Sequence, residues 1–145
     1  MNRFILAIIL MSMAVSPLWA AETIGFVKTV SGGAAVIDSG NTINARVGTP
    51  IKMGNTLKTG PKGSMGVTFK DNTVMSFGPD TELTVDEYLY EPEKDNLKFG
   101  TSLSKGSLQV VSGVIAKLKP KSVNMKTPAA IIGCRGTRFL VKVEP

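Results

Sequence analysis

The chain has 145 residues, with Lys+Arg 17 against Asp+Glu 11, a formal net charge of +6, one Cys and no His. The absence of His excludes a Ser-His-Asp triad, a Cys-His pair and any His metal ligand, and a single Cys excludes an intrachain disulfide or a Cys-based zinc site. The length allows one domain with a modest core. We therefore expect no enzyme activity, no metal and no cofactor.

The first twenty residues differ from the rest of the chain. Arg3 is their only charge, and an apolar run from Phe4 to Val15 follows it. A cationic start, a short apolar stretch and small residues at the cut are typical of a secretory signal peptide, and the run is shorter than the roughly 20 residues that span a bilayer. We predict cleavage after Ala20 or Ala21, export to the periplasm or beyond, and no membrane span in the remaining domain, 21–145.

The remainder is predicted to form strands and turns, because short runs of Val, Ile, Thr and Phe are interrupted by Gly, Asn, Asp and Pro. Its spacing predicts, in chain order, strands at 23–30, 34–38, 43–47, 55–59, 82–86, 107–111 and 122–126. Period-2 alternation adds a hairpin over 64–77 that turns at Asp71-Asn72, and strands at 114–119 and 138–143. The stretch 88–96 is predicted as a surface loop. These elements predict a single all-β domain with Gly and Asn turns, either β-solenoid-like or a small β-sandwich.

Charge is segregated along the chain. An acidic middle is followed, from Lys98 to Lys142, by a stretch whose charged residues are all Lys or Arg; the acidic residues are Asp80, Glu82, Asp86, Glu87, Glu91, Glu93 and Asp95. We interpret the acidic residues as a solvated edge, since no calcium-loop spacing accompanies them.

Four lysines of the basic stretch form a candidate site for a polyanion. Lys117, Lys119 and Lys121 would share one face of a strand, and Lys126 follows them. Such a stripe attracts an anionic polymer or lipid by charge alone, although exposed Lys on a strand also discourages aggregation. Nucleic-acid binders interleave aromatic residues for stacking, and none lies between Phe99 and Phe139, so no nucleic acid is expected as partner.

The single Cys lies in a glycine-flanked segment near the C-terminal end. It follows the buried-looking run 129–132, so we interpret Cys134 as a structural residue rather than a reactive one. Arg135 and Arg138 are candidates for binding carboxylates of the acidic middle. The glycines at 133 and 136 predict backbone that excludes a side chain or needs a positive φ.

The spacing of these glycines and threonines resembles the FecR domain, a family of exported bacterial β domains. The likeness runs through most of residues 24–143, and its most specific part is the block T-P-x-A-x-x-G-x-R-G-T-x-F that begins at Thr127. Asn55 stands where the family usually has Asp, and Cys134 where it has an aliphatic residue. The family-motif residues, structural or partner-binding, are Gly54, Thr59, Gly60, Gly106, Thr127, Pro128, Gly133, Arg135, Gly136 and Thr137.

The resemblance implies an exported, non-enzymatic domain that binds a partner, another envelope protein, in a scaffolding or signalling role. A homo-oligomer is left open. The family's namesake looks like a transmembrane regulator that controls a sigma factor and reads an outer-membrane iron transporter. This sequence shows neither a cytoplasmic segment nor a span, so we do not expect those roles to carry over. The alternative function is binding of an anionic envelope polymer or lipid through the lysine stripe.

Overall fold

The structure is a computed structural model that describes residues 22–133 and 137–144. Its strands are β1 (Thr23–Ser31), β2 (Ala34–Asp38), β3 (Asn41–Asn44), β4 (Pro50–Lys52), β5 (Thr56–Thr59), β6 (Ser64–Phe69), β7 (Val74–Phe77), β8 (Glu82–Glu91), β9 (Asn96–Val111), β10 (Val123–Lys126), β11 (Ile131–Gly133) and β12 (Arg138–Val143). The five-residue helix α1 (Val114–Leu118) and two 3₁₀ turns, Pro92–Lys94 and Pro120–Ser122, complete the described elements. The prediction of an all-β single domain is confirmed.

The strands form one curled sheet that resembles half a barrel, and β9 is the longest of the described strands. One side of β9 pairs with β8 over its first part and with β7 over its last part, while the other side pairs with β10 and then with β12. Only the β9–β10 pair is parallel among the described strands. Neighbouring strands that run antiparallel and curl over a common core are closer to the sandwich than to the solenoid.

The sheet has two halves that share β9: one is formed by β1, β4, β6, β7 and β12, and the other by β2, β3, β5, β8, β10 and β11. The core lies between these halves. The hairpin predicted over 64–77 is confirmed: Met65, Val67 and Phe69 of β6 are buried, and so are Met75 and Phe77 of β7. It turns at Asn72, which adopts a positive φ of 69°.

An aromatic cluster joins the halves. The Phe69 ring stacks on Tyr88 of β8 with 5.6 Å between centroids, and both rings meet the edge of Phe99 from β9. Such pairs add to the stabilisation that burial of their area provides.

Two predicted elements are wrong. Residues 114–118 form α1 instead of a strand, and the predicted loop 88–96 is the end of β8, a 3₁₀ turn and the start of β9. Tyr88, expected at the surface, is only 7% exposed. The strand predicted at 43–47 lies two to three residues earlier, at Asn41–Asn44.

Candidate interaction surface

Three of the predicted motif residues meet at one corner of the sheet, around Thr81. The Thr59 hydroxyl donates to the Gly78 carbonyl at 2.6 Å and accepts from the Thr81 backbone N–H at 3.0 Å. The Thr81 hydroxyl lies 3.1 Å from the Ser107 carbonyl and accepts from the Ser107 N–H at 3.0 Å. Thr81 is fully buried, so these bonds replace the water that its polar atoms lose on folding.

Gly106 lets two backbones of this corner approach, whereas an added Cβ at Gly60 would lie 3.6 Å from the Gly33 carbonyl, an ordinary contact distance. Gly106 has a φ of +95°, and a Cβ added to it would come closer than 3.0 Å to Thr81 Cα. Gly60 donates to the Gly33 carbonyl at 2.8 Å and accepts from the Asp80 N–H at 3.0 Å. Thr59, Gly60 and Gly106 are therefore structural residues, and Thr81, which connects them, was missed because a lone Thr before a strand carries no signal in sequence.

The motif residue Gly54 lies apart from that corner, in the turn between β4 and β5. Its φ is +88°, its N–H donates to the Val85 carbonyl at 2.7 Å, and an added Cβ would meet nothing within 4 Å. The neighbouring Asn55 is buried, and its amide bonds the Asp38 carboxylate at 3.1 Å and the Lys52 N–H at 2.9 Å.

The Asp71 carboxylate forms the centre of a second buried polar cluster. It accepts hydrogen bonds from the hydroxyls of Tyr88 at 3.0 Å and Thr73 at 2.8 Å, and from the Ile115 N–H at 3.2 Å. The Asp71 N–H in turn donates to the Tyr88 hydroxyl oxygen at 3.0 Å. Sequence reasoning identified Asp71 only as a turn residue, because its partners come from distant segments.

This cluster explains why residues 114–118 are helical. The Asp71 carboxylate accepts from the Ile115 N–H, and its backbone carbonyl accepts from the Val114 N–H at 2.7 Å. Free N–H groups in the first turn of a helix need such acceptors, and a negative charge is favourable there. Asp71 therefore acts as a distant cap for α1, which the alternation of apolar residues in 114–118 could not reveal.

The burial of Tyr88 predicts a pH dependence of stability. Burial, reinforced by the neighbouring Asp71 charge, raises the pKa of Tyr88 well above its ordinary value. In the unfolded chain this phenol ionises near pH 10, whereas in the folded protein it keeps its proton, so ionisation favours unfolding. The stabilisation is fully present below pH 10 and is lost as pH rises beyond it, by up to about 1.4 kcal/mol per pH unit.

Urea unfolding between pH 9 and 11 measures this loss. In Tyr88→Phe the Tyr88 part of the slope should disappear, while Tyr90→Phe on the same strand should keep it. Equal slopes for Tyr88→Phe and the parent protein would contradict the assignment.

The lysines of the predicted stripe do not lie on one strand. Lys117 belongs to α1, Lys121 to a 3₁₀ turn and Lys126 to β10. Lys119 lies between the two helical turns, and its ammonium pairs with the Asp95 carboxylate at 3.0 Å. The stripe as predicted is wrong, because it required residues 114–121 to be extended.

Within the described residues the acidic middle pairs with lysines and not with Arg138, one of the two predicted arginines. Lys58, Lys98 and Lys119 approach Glu82, Glu87 and Asp95 at 3.0–3.9 Å. Among the described residues Arg138 forms no ion pair, and Arg135 lies outside them. No group of three or more His, Cys, Asp or Glu within 22–133 and 137–144 could hold a metal ion.

The most specific motif block lies at the surface. The Thr127 hydroxyl and N–H both bond the Ala130 carbonyl, at 3.0 and 2.8 Å, closing the turn between β10 and β11. Pro128, Gly133 and Thr137 are exposed, and the Thr137 carbonyl accepts from the Ser112 N–H at 2.8 Å.

Two apolar side chains stand out next to this block. Ile131 of β11 is 70% exposed and Leu140 of β12 is 74% exposed. The prediction that the run 129–132 is buried is therefore wrong for Ala129, Ala130 and Ile131, which are all exposed. Ile132, in contrast, is half-buried and lines a 20 Å³ cavity beneath α1 that is large enough for one water molecule. The predicted cleavage residues Ala20 and Ala21, the signal peptide, Cys134, Arg135 and Gly136 lie outside the described residues.

The family-model comparison matches residues 55–145 to the FecR protein family. Since this range covers more than half of the chain, the protein belongs to the FecR family, as the motif spacing predicted. The match begins at β5, so β1–β4 complete the same sheet from outside the matched range. Comparison with curated proteins and with solved structures gives no significant match. No helix in the described part of the chain is long and apolar enough to cross a membrane.

Proposed function

We propose that this FecR-family protein is an exported, non-catalytic domain that binds another protein of the cell envelope, in a signalling or scaffolding role. The observation that carries the proposal is the position of the family's most specific block. Thr127–Gly133 and Thr137 lie largely at the surface, whereas motif residues such as Thr59 and Gly106 are used inside the fold. The fold uses this segment mainly through its backbone and Ile132, so most of its side chains remain available for contact with a partner.

The exposed apolar side chains beside the block support the same conclusion. Ile131 and Leu140 lie on two edge strands that face one groove, and both retain most of their surface in water. Burying one such side chain in an interface contributes roughly 1.5–3 kcal/mol. Basic groups nearby, Lys126, Arg138 and Lys142, would orient an acidic partner before contact.

The non-catalytic part of the proposal is supported by how the buried polar groups are used. Asp71 is fully buried, and its carboxylate accepts hydrogen bonds from Tyr88, Thr73 and Ile115. In the same way, the hydroxyls of Thr59 and Thr81 form hydrogen bonds with backbone groups of their corner. Export is proposed from the signal-peptide pattern of the first twenty residues. The polyanion alternative loses its support because the lysine stripe does not form.

The test uses the tagged protein to capture partners from its native periplasm, with two variants that carry the same change. Ile131→Asp alters the exposed position beside the motif block. Ile43→Asp is the matched control, since Ile43 is 43% exposed on β3, which ends the strand order and pairs only with β2, away from the branch formed by β10 and β11. We expect Ile131→Asp to reduce the yield of the specific partner at least tenfold and Ile43→Asp to leave it unchanged. Equal yields for both variants, or a protein retained in the cytoplasm, would contradict the proposal.

A further inference from the structure

β12 is one of four described strands, with β3, β4 and β11, that pair on one side only. β12 pairs with β9 over its whole length, from Arg138 opposite Val111 to Val143 opposite Gly106. Within the described residues no strand pairs with its other side, which faces the β10–β11 hairpin across open grooves of about 500 Å³ at residues 139–142 and 260 Å³ at residues 141–144. The unpaired N–H and C=O groups of a six-residue edge are a template for a further strand.

The side chains of β12 alternate between two faces. Phe139, Val141 and Val143 point towards the core and are buried or half-buried. Arg138, Leu140 and Lys142 are exposed, and so is Glu144, which follows the strand. A partner strand that continues the sheet must place apolar residues on the first face and complementary residues on the second, because a register shift by one residue exchanges the faces.

The sequence of β12 meets this requirement when it pairs with itself. In the antiparallel register that places Val141 opposite Val141 of a second copy, Phe139 faces Val143 on the core side. On the outer face Arg138 then lies opposite Glu144, and this ion pair occurs twice because the arrangement is two-fold symmetric. Leu140 lies opposite Lys142, whose aliphatic stem can cover it.

Neighbouring registers lack this complementarity. Pairing Leu140 with Leu140 would place Arg138 opposite Lys142, and centring the pair on Lys142 would bring two ammonium groups together. Like charges directly opposite each other destabilise a strand pair. Within one chain Glu144 contacts Lys142 at 3.7 Å, but both groups are about 70–80% exposed, so this pair does not compete strongly.

We propose that two copies of this protein pair through their β12 edges about a two-fold axis, with Val141 opposite Val141 and Arg138 opposite Glu144. The sheets of the two copies become one continuous sheet across the axis. The contact is small, so the dimer is weak and forms as concentration rises. This pairing goes beyond the proposed binding to another envelope protein and does not depend on it.

Sedimentation equilibrium of the purified protein over a concentration series tests the pairing. We expect a monomer–dimer equilibrium for the parent protein. Arg138→Glu and Glu144→Arg each replace two attractions by two repulsions and should raise the dimer dissociation constant at least tenfold. The double variant Arg138→Glu/Glu144→Arg restores opposite charges and should return the constant to within about threefold of the parent.

Cysteine cross-linking tests the register. In a Cys134→Ser background, a mixture of Leu140→Cys and Lys142→Cys proteins should form a mixed disulfide under mild oxidation, because residues directly opposite each other lie within disulfide range. Either protein alone should cross-link much less.

Three outcomes would overturn the proposal. These are a monomer at every concentration up to millimolar, a double variant that stays as weak as the single ones, and a self-cross-link of Leu140→Cys stronger than the mixed one. Because these measurements use the purified protein alone, their failure leaves the result of the Ile131→Asp capture unaffected.

Discussion

Gly106→Ala is expected to reduce the free energy of unfolding by roughly 4 kcal/mol, enough to unfold much of a domain of ordinary stability. Two costs combine at this position. The backbone has a φ of +95°, which residues with a Cβ rarely adopt, and the added Cβ would overlap Thr81 Cα. Thr81 cannot move away, because its hydroxyl and N–H are bonded to Ser107 and Thr59.

A matched glycine separates these two costs. Gly54 has a similar φ of +88°, but an added Cβ there meets nothing within 4 Å. Gly54→Ala should therefore show the conformational cost alone, about 1–2 kcal/mol. Urea unfolding followed by circular dichroism measures both variants. If Gly106→Ala were no less stable than Gly54→Ala, the close approach of the two backbones at the Thr81 corner would be wrong.

Asp71→Ala is the second change with a large expected effect, a loss of about 3–5 kcal/mol. Removing the carboxylate leaves the hydroxyls of Tyr88 and Thr73 and the Ile115 N–H without their acceptor in the core. The loss of the cap should also unravel α1 and expose its own residue Ile115, which is fully buried in the folded protein.

Two further variants keep this prediction testable if Asp71→Ala fails to fold. Asp71→Asn retains one acceptor oxygen and should lose about half as much stability. Asp86→Ala is the control, because Asp86 is exposed on β8 and bonds only Ser102, so the change should cost less than about 1 kcal/mol. Chemical denaturation of the three proteins provides the comparison. Similar losses for Asp71→Ala and Asp86→Ala would show that the cluster contributes little.

The sequence predicted the strands correctly where the pattern of apolar and turn residues lies within a few consecutive positions. Alternation of Met65, Val67 and Phe69, with Asp71-Asn72 between two apolar runs, placed the β6–β7 hairpin correctly. The strand Ala34–Asp38 was predicted with its observed bounds. Its turn into β3 uses Ser39 and Gly40, both with positive φ, which suits a two-residue hairpin loop.

The sequence predictions failed where contacts with residues far away in the chain determine the local structure. Val114–Leu118 alternates like a strand, yet it forms a helix because Asp71, 44 residues away from Ile115, supplies the acceptor for its first turn. The acidic stretch around Glu91 reads as a loop, but Tyr88 within it is drawn into the core by Phe69, Phe99 and Asp71. Burial of one residue in a polar segment is not visible in composition.

For the motif residues, too, spacing along the chain predicted some properties and not others. Their spacing was sufficient to identify the FecR family, since it reflects the turns and close approaches that the fold requires. It could not separate Gly106, where an added Cβ would overlap Thr81, from Gly133, where an added Cβ meets nothing within 4 Å. That difference depends on which backbone lies opposite each glycine. The prediction that Gly133 excludes a side chain or needs a positive φ is therefore wrong.

The sequence by itself thus determined the all-β class, the positions of most strands and the family, because these depend on the period of apolar residues and on turn residues close together in the chain. The tertiary structure alone decided which polar groups are buried together, which carboxylates the lysines pair with, and which strands are left at an edge. Those properties arise from contacts between segments far apart in sequence, and the free side of β12 exists only because β9 is long enough to pair with four other strands.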